Sequence, residues 1–155
     1  MEMDYVNPFV DGARELISSM FQSSCDITLS NSPALVDVSG VIDLDGSTPT
    51  QLALSFSRET ATRMVAQLLA LEQSEIDDDI LGDGVGEMTN IVAGMAKKKM
   101  STLSNTLKLS TPRVTVSDCH ELSLFRANGV VHVRLTTELG DFSLRVYSNT
   151  THKAE

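Results

Sequence analysis

Three polar side chains in the segment 81–97, LGDGVGEMTNIVAGMAK, have the types and spacing to do chemistry together. On a helix turning about 100° per residue, Glu87 lies about 40° round from Asp83 and Asn90 about 20° the other way. Two carboxylates, which only accept hydrogen bonds, and one carboxamide, which donates and accepts, therefore share one stripe. A lone Glu-x-x-Asn also arises by chance on the solvated side of an amphipathic helix. The other common sets are missing from the chain: there is no phosphate-binding glycine loop with its Lys, no nucleophile elbow, and no Cys or His cluster at metal spacing. His120 beside Cys119 is one pair only and reads as structural or surface. His132, on the opposite pleat face from Val131, Val133 and Leu135, reads as a surface or interface side chain. Asp43 and Asp45 precede Gly46 without the rest of a calcium loop, and read as part of a turn.

The stripe needs a helix to carry it, and the periodicity predicts one from Ile76 to about Ser104. Leu81, Val85, Met88, Ile91, Val92 and Met95 gather on one side and face a core. Asp77, Asp78 and Asp79 suit the positive end of its dipole, and Lys97, Lys98 and Lys99 the negative end. Gly82, Gly84 and Gly86 stand inside the pattern, each costing about 1 kcal/mol against alanine. With Gly94 they predict that another surface comes close.

Around this helix the chain alternates. An amphipathic helix is expected over residues 4–21, carrying Phe9, Leu16, Ile17 and Met20. Strands are expected at Cys25–Leu29, Leu35–Leu44 and Gln51–Phe56, able to form a meander. Ser57 caps a helix reaching about Leu71, with Ala61, Met64, Val65, Leu68 and Leu69 on its apolar side, and residues 72–75 break it. Strands follow at 107–116, 121–125, 130–137 and 142–147. Pro112 marks an edge, a bulge or the lead-in to a strand, Asn128-Gly129 makes a hairpin, and residues 138–141 close the next. The order predicts an α/β (α+β) sandwich in two loosely similar helix-plus-sheet halves, one domain over residues 1–150, and a tail at 151–155 that includes His152.

Composition narrows the classes. The 155 residues suffice for one core, and a net charge of −9 argues against a nucleic-acid or anionic-membrane surface. No run approaches the ~18 apolar residues of a membrane span, and MEMDYVNPF lacks the regions of a signal peptide, so a cytoplasmic protein is expected. In such a compartment Cys25 and Cys119 are expected as small buried apolar residues.

The segment 81–97 resembles the signature helix of the CheC, CheX and FliY family of chemotaxis phosphatases. Asp83, Glu87, Asn90, Ala93 and Gly94 match that pattern, and Pro112 stands where the family places a proline. CheC carries two Glu-x-x-Asn copies. Here Glu15 on the first helix is followed by Ser18, so the chain looks most like CheX. The resemblance implies a CheC-like fold of two helix-plus-antiparallel-sheet halves around a long central signature helix. It implies hydrolysis of the aspartyl phosphate on a CheY-type response regulator, with Asn90 orienting an in-line water and Glu87 reaching the partner's active-site Lys. Asp83 would be peripheral, and Gly86 and Gly94 would let the partner close over the pair. No cofactor of its own is expected, the receiver supplying Mg. A homodimer paired through sheet edges such as Val130–Thr137 is expected as well. The rival reading is a non-catalytic receiver-binding scaffold or flagellar-switch-type module.

Overall fold

The computed structural model describes residues 3–30, 35–46, 49–100, 108–122 and 130–148. The predicted Asn128-Gly129 hairpin and the tail at 151–155 lie outside them. The helices are α1 (Met3–Phe21), α2 (Arg58–Leu69) and α3 (Asp78–Met100), with a short 3-10 turn at Gln73–Glu75. The strands are β1 (Asp26–Leu29), β2 (Leu35–Asp45), β3 (Thr50–Phe56), β4 (Lys108–Leu109), β5 (Arg113–Glu121), β6 (Val130–Thr137) and β7 (Gly140–Ser148). Ser57 caps α2 as expected, its hydroxyl accepting from the Thr60 N–H at 3.1 Å. Ala70, left-handed at φ 57°, closes the other end, and Leu69 stays 44% exposed rather than joining the apolar side.

Among the described residues all seven strands join one antiparallel sheet in the order β1-β6-β7-β3-β2, with β4 and β5 both on the outer side of β2. Read from either end the order is the same in kind. The first strand after α1 pairs with the hairpin that follows α3, and the first long strand after α3 pairs with the hairpin that follows α1. The two hairpins meet at β3–β7, in register from Thr50 opposite Ser148 to Phe56 opposite Phe142, whose rings stack at 5.1 Å. The loosely similar halves are thus real, but each lends its first strand to the other.

That exchange corrects two expectations. The strands β1, β2 and β3 do not form a meander, because β1 pairs with β6, Asp26 to Thr136 through Leu29 to Val133. And Val130–Thr137 is no open edge, since β6 is flanked by β1 and β7. Of the strand expected over 121–125, Glu121 is the last residue of β5 and Leu122 is outside any strand, while 123–125 lie outside the described residues. Pro112 proves to be a lead-in, with the pairing to β2 slipping by one residue between β4 and β5. A second slip, at Val36/Val38, carries Cys119 in the left-handed region at φ 57°. Asp37 holds this bulge, accepting the N–H groups of Cys119 (2.9 Å) and Arg58 (3.0 Å), which pull its carboxyl below the usual range. Cys119 is consequently exposed rather than buried; Cys25 is buried as expected, and both thiols are free.

The three helices cover one face of the sheet, and the core lies between. Phe9, Leu16 and Ile17 of α1, Met64 and Val65 of α2, and Leu81, Val85, Met88 and Val92 of α3 meet Ile42, Leu44, Leu52, Leu54, Leu135 and Leu144. Each such side chain contributes about 1.5–3 kcal/mol when fully buried. The other face is polar but tightly closed at its centre. His132 sits there, only 8% exposed, its Nε2 3.0 Å from Ser143 Oγ and its Nδ1 3.5 Å from Arg145 Nη2. It is on the pleat face predicted, yet it is interior, because Arg145 of the central strand lies across it. Burial first, then Arg145 and Arg134, lower its pKa to about 4.

Candidate functional site

The helix α3 begins where a side chain can satisfy its first N–H groups: Asp77 Oδ1 accepts from the Ile80 N–H at 2.9 Å. Arg58 then ties the first turn to the sheet, pairing with Asp78 at 2.8 Å and with Asp118 of β5 at 2.9 Å. These pairs are exposed and locate the helix more than they stabilise it.

The glycines explain how closely the rest of the helix is held. A Cβ at Gly84 would lie 2.6 Å from Val65 of α2, and one at Gly86 would lie 3.2 Å from Val114 of β5. Gly82 faces Val114 and Val116 of the same strand at 3.5 and 3.6 Å. From the neighbouring elements, Gly12 of α1 brings its Cα so near that a Cβ would be 3.0 Å from the Val92 carbonyl oxygen, and Gly40 of β2 one 2.3 Å from Thr89 Oγ1. The approaching surface that the glycines predict is therefore the protein's own for Gly82, Gly84 and Gly86. Gly94 differs: among the described residues nothing lies within 4 Å of the place its Cβ would take.

On this clamped helix Leu81, Val85, Met88, Thr89, Val92 and Ala93 are buried, while Asp83, Glu87 and Asn90 are exposed. The three stand on one face, as their spacing predicts. Among the described residues none of the three side chains takes part in a hydrogen bond or ion pair, so their polar atoms face outward uncommitted. A shallow open depression beside Asn90 is lined also by Ile91, Gly94, Met95, Lys97 and Lys98. Ile91 and Met95, expected in the core, are only half-buried and form its apolar floor. Sequence reasoning missed them as rim residues; the available signal was their offset of roughly 80–120° from the polar stripe, at the margin of the buried face. Lys97 and Lys98 end the same groove and put positive charge two turns beyond Asn90.

This arrangement offers an accepting anchor, a donor-acceptor amide one turn away and an apolar shelf. It suits the surface of a folded partner more than a small molecule, which needs a concave site. Among the described residues no group of three His, Cys, Asp or Glu side chains is placed to hold a metal ion. No helix among them is long and apolar enough to cross a membrane.

The fold is shared with solved structures. A CheC-like protein from Shewanella sp. PV-4 matches at 24% identity with a TM-score of 0.83, covering 96% of this chain and 99% of that one. The chemotaxis protein CheX from Desulfovibrio desulfuricans matches at 24% identity and 0.81, covering 94% and 99%. The CheX–CheY–BeF3–Mg complex from Borrelia burgdorferi matches at 18% identity and 0.75, covering 95% and 99%. No curated protein matches the chain. The sequence profile described as chemotaxis phosphatase CheX matches residues 38–136, a span that includes Asp83, Glu87 and Asn90. The chain belongs to the CheX family of chemotaxis phosphatases.

Proposed function

We propose that the chain hydrolyses the aspartyl phosphate of a CheY-type response regulator, with Asn90 and Glu87 as the working pair. The observation that carries this is the exposed, uncommitted placement of both side chains on one face of a helix pinned by its neighbours on three sides. The relative from Borrelia burgdorferi, solved as a CheX–CheY complex, has the same fold and supports the class of partner.

An acyl phosphate is already activated, and a receiver domain brings its own metal ion and Lys to the phosphoryl group, so the phosphatase has only to place water. The Asn90 amide accepts one hydrogen bond from the water and donates another to it or to a phosphoryl oxygen, without setting negative charge against the phosphoryl group. The water oxygen forms the new bond to phosphorus. The bond to the aspartyl oxygen breaks, its electron pair stays on the carboxylate, and the water's proton leaves with inorganic phosphate. Glu87, one turn away, pairs with the partner's Lys and sets the distance; Asp83 extends the same anionic stripe at its edge. Gly94 leaves room for the partner, and Gly86, half-exposed, keeps that flank low.

Decay of phosphorylated regulator with and without the protein tests the reading. Faster decay is expected; decay unchanged at saturating protein would leave a receiver-binding scaffold. A homodimer through the edge strands β1 or β5 belongs to the same reading, and light scattering at tens of micromolar should give twice the chain mass, a monomer mass removing it.

A further inference from the structure

Each of α1 and α3 is the helix that leads into its half of the sheet, and the two carry the same short pattern. Asp11-Gly12-Ala13-Arg14-Glu15-Leu16-Ile17-Ser18 on α1 aligns with Asp83-Gly84-Val85-Gly86-Glu87-Met88-Thr89-Asn90 on α3. Burial repeats with it. Asp11, Glu15 and Ser18 are exposed as Asp83, Glu87 and Asn90 are, and the second, third, sixth and seventh residues of both octets are buried. Each glycine marks a tight helix contact, Gly12 against α3 and Gly84 against α2. An open depression borders Glu15 and Ser18 as another borders Asn90. No ion pair among the described residues engages Glu15.

We infer that the outer stripe of α1 is a second docking face for the same class of partner, a CheY-type receiver domain, which it holds through Glu15 without hydrolysing its phosphate. The inference rests on the function proposed above. Glu15 offers the partner's Lys the same carboxylate, on the same kind of helix face, as Glu87. Hydrolysis stops at Ser18, whose hydroxyl sits one bond nearer the backbone than an amide and turns back to donate to the Glu15 carbonyl at 3.3 Å. A reacting group misplaced by about 1 Å can cost a hundredfold in rate. Arg14, exposed where α3 has Gly86, adds bulk and positive charge beside the anchor and makes this face the weaker of the two.

The test starts from Glu87→Lys with Asn90→Ala, which removes anchor and amide from α3. Adding Ser18→Asn to this chain should accelerate dephosphorylation of a phosphorylated CheY-type receiver at least tenfold over the background, and adding Glu15→Ala as well should abolish the gain. Decay at the receiver's own rate with Ser18→Asn, and again with Arg14→Gly plus Ser18→Asn, overturns the inference. All these positions are exposed, and a circular dichroism melt checks that each variant is folded. Wild type runs alongside: an active wild type with a silent α1 series overturns this inference alone, whereas an inert wild type overturns the proposed function and this inference with it.

Discussion

Gly40→Ala probes how the sheet positions the site, because Gly40 lies under Thr89, the residue between the working pair on the buried side of α3. Local propensity favours the change, alanine being better than glycine in a strand interior by about 0.5–1 kcal/mol. The contact opposes it. The new Cβ would meet Thr89 Oγ1 at 2.3 Å, Thr89 Cβ at 3.2 Å and Val85 Cγ1 at 3.4 Å. Thr89 is fully buried, and its hydroxyl is held by a 2.8 Å bond to the Val85 carbonyl, so it can leave only by breaking that bond or by lifting the helix by about 1 Å. Overpacking of this kind costs about 1–3 kcal/mol, and a stranded buried hydroxyl about as much again. A net loss of about 3 kcal/mol follows, or a melting temperature lower by roughly 6–12 °C for a chain of this size. Thr89→Ala removes the obstructing oxygen, so the double variant should be more stable than the two single losses together imply, with a coupling of about 1 kcal/mol or more in urea unfolding. Phosphatase activity should fall in Gly40→Ala and recover in the double variant, since Asn90 adjoins the displaced turn. A Gly40→Ala protein within about 0.5 kcal/mol of wild type, or strict additivity, would show that the helix does not rest on this contact.

Gly94→Ala should stabilise the chain by about 1 kcal/mol, since the added methyl meets none of the described residues, yet weaken regulator binding if the partner closes there; unchanged affinity by titration calorimetry would remove Gly94 from the docking surface. Glu87→Ala should weaken binding and flatten its dependence on salt, because a partly exposed ion pair is screened, and an unaltered salt response would end the anchoring role. His132 is held neutral with a pKa of about 4 while an unfolded chain titrates near 6.5. Stability present above pH 6.5 should therefore decline as pH falls from 6.5 towards 4, by up to roughly 3 kcal/mol, because only the unfolded chain takes up the proton. His132→Gln should flatten that part of the profile and leave the loss at lower pH, where Asp37 and Asp43, whose hydrogen-bonded carboxyls lie below the usual range, are at last protonated; an unchanged slope between pH 6.5 and 4 would contradict the assignment.

What could be read from the residues was whatever local pattern fixes. The stripe of Asp83, Glu87 and Asn90 is a helical spacing, Ser57 is a capping chemistry, and Pro112 removes a ladder donor, so each was legible. Pairing between distant strands was not, because β1 has only four residues and nothing in DITL distinguishes β2 from β6 as its partner. The interior place of His132 depends on Arg145 crossing from a neighbouring strand, thirteen residues away. The exposure of Cys119 depends on a two-residue slip against β2 that alternation does not announce. The glycines were legible as close approaches, but not whose surface approaches. Val65 and Val114 answer for Gly84 and Gly86, leaving Gly94 as the one of the four α3 glycines with open space over it.

Whether the Asn90 amide accelerates hydrolysis is decided by single-turnover dephosphorylation of a CheY-type regulator by Asn90→Ala. The side chain is exposed and makes no hydrogen bond among the described residues, so its removal should leave folding and regulator affinity nearly unchanged while most of the rate acceleration is lost, as for an interaction made chiefly in the transition state. Asn90→Asp, which keeps the shape but sets a carboxylate against the phosphoryl oxygens, should be poor too. Near-native turnover by Asn90→Ala, or phosphate label trapped on this protein, would contradict the account.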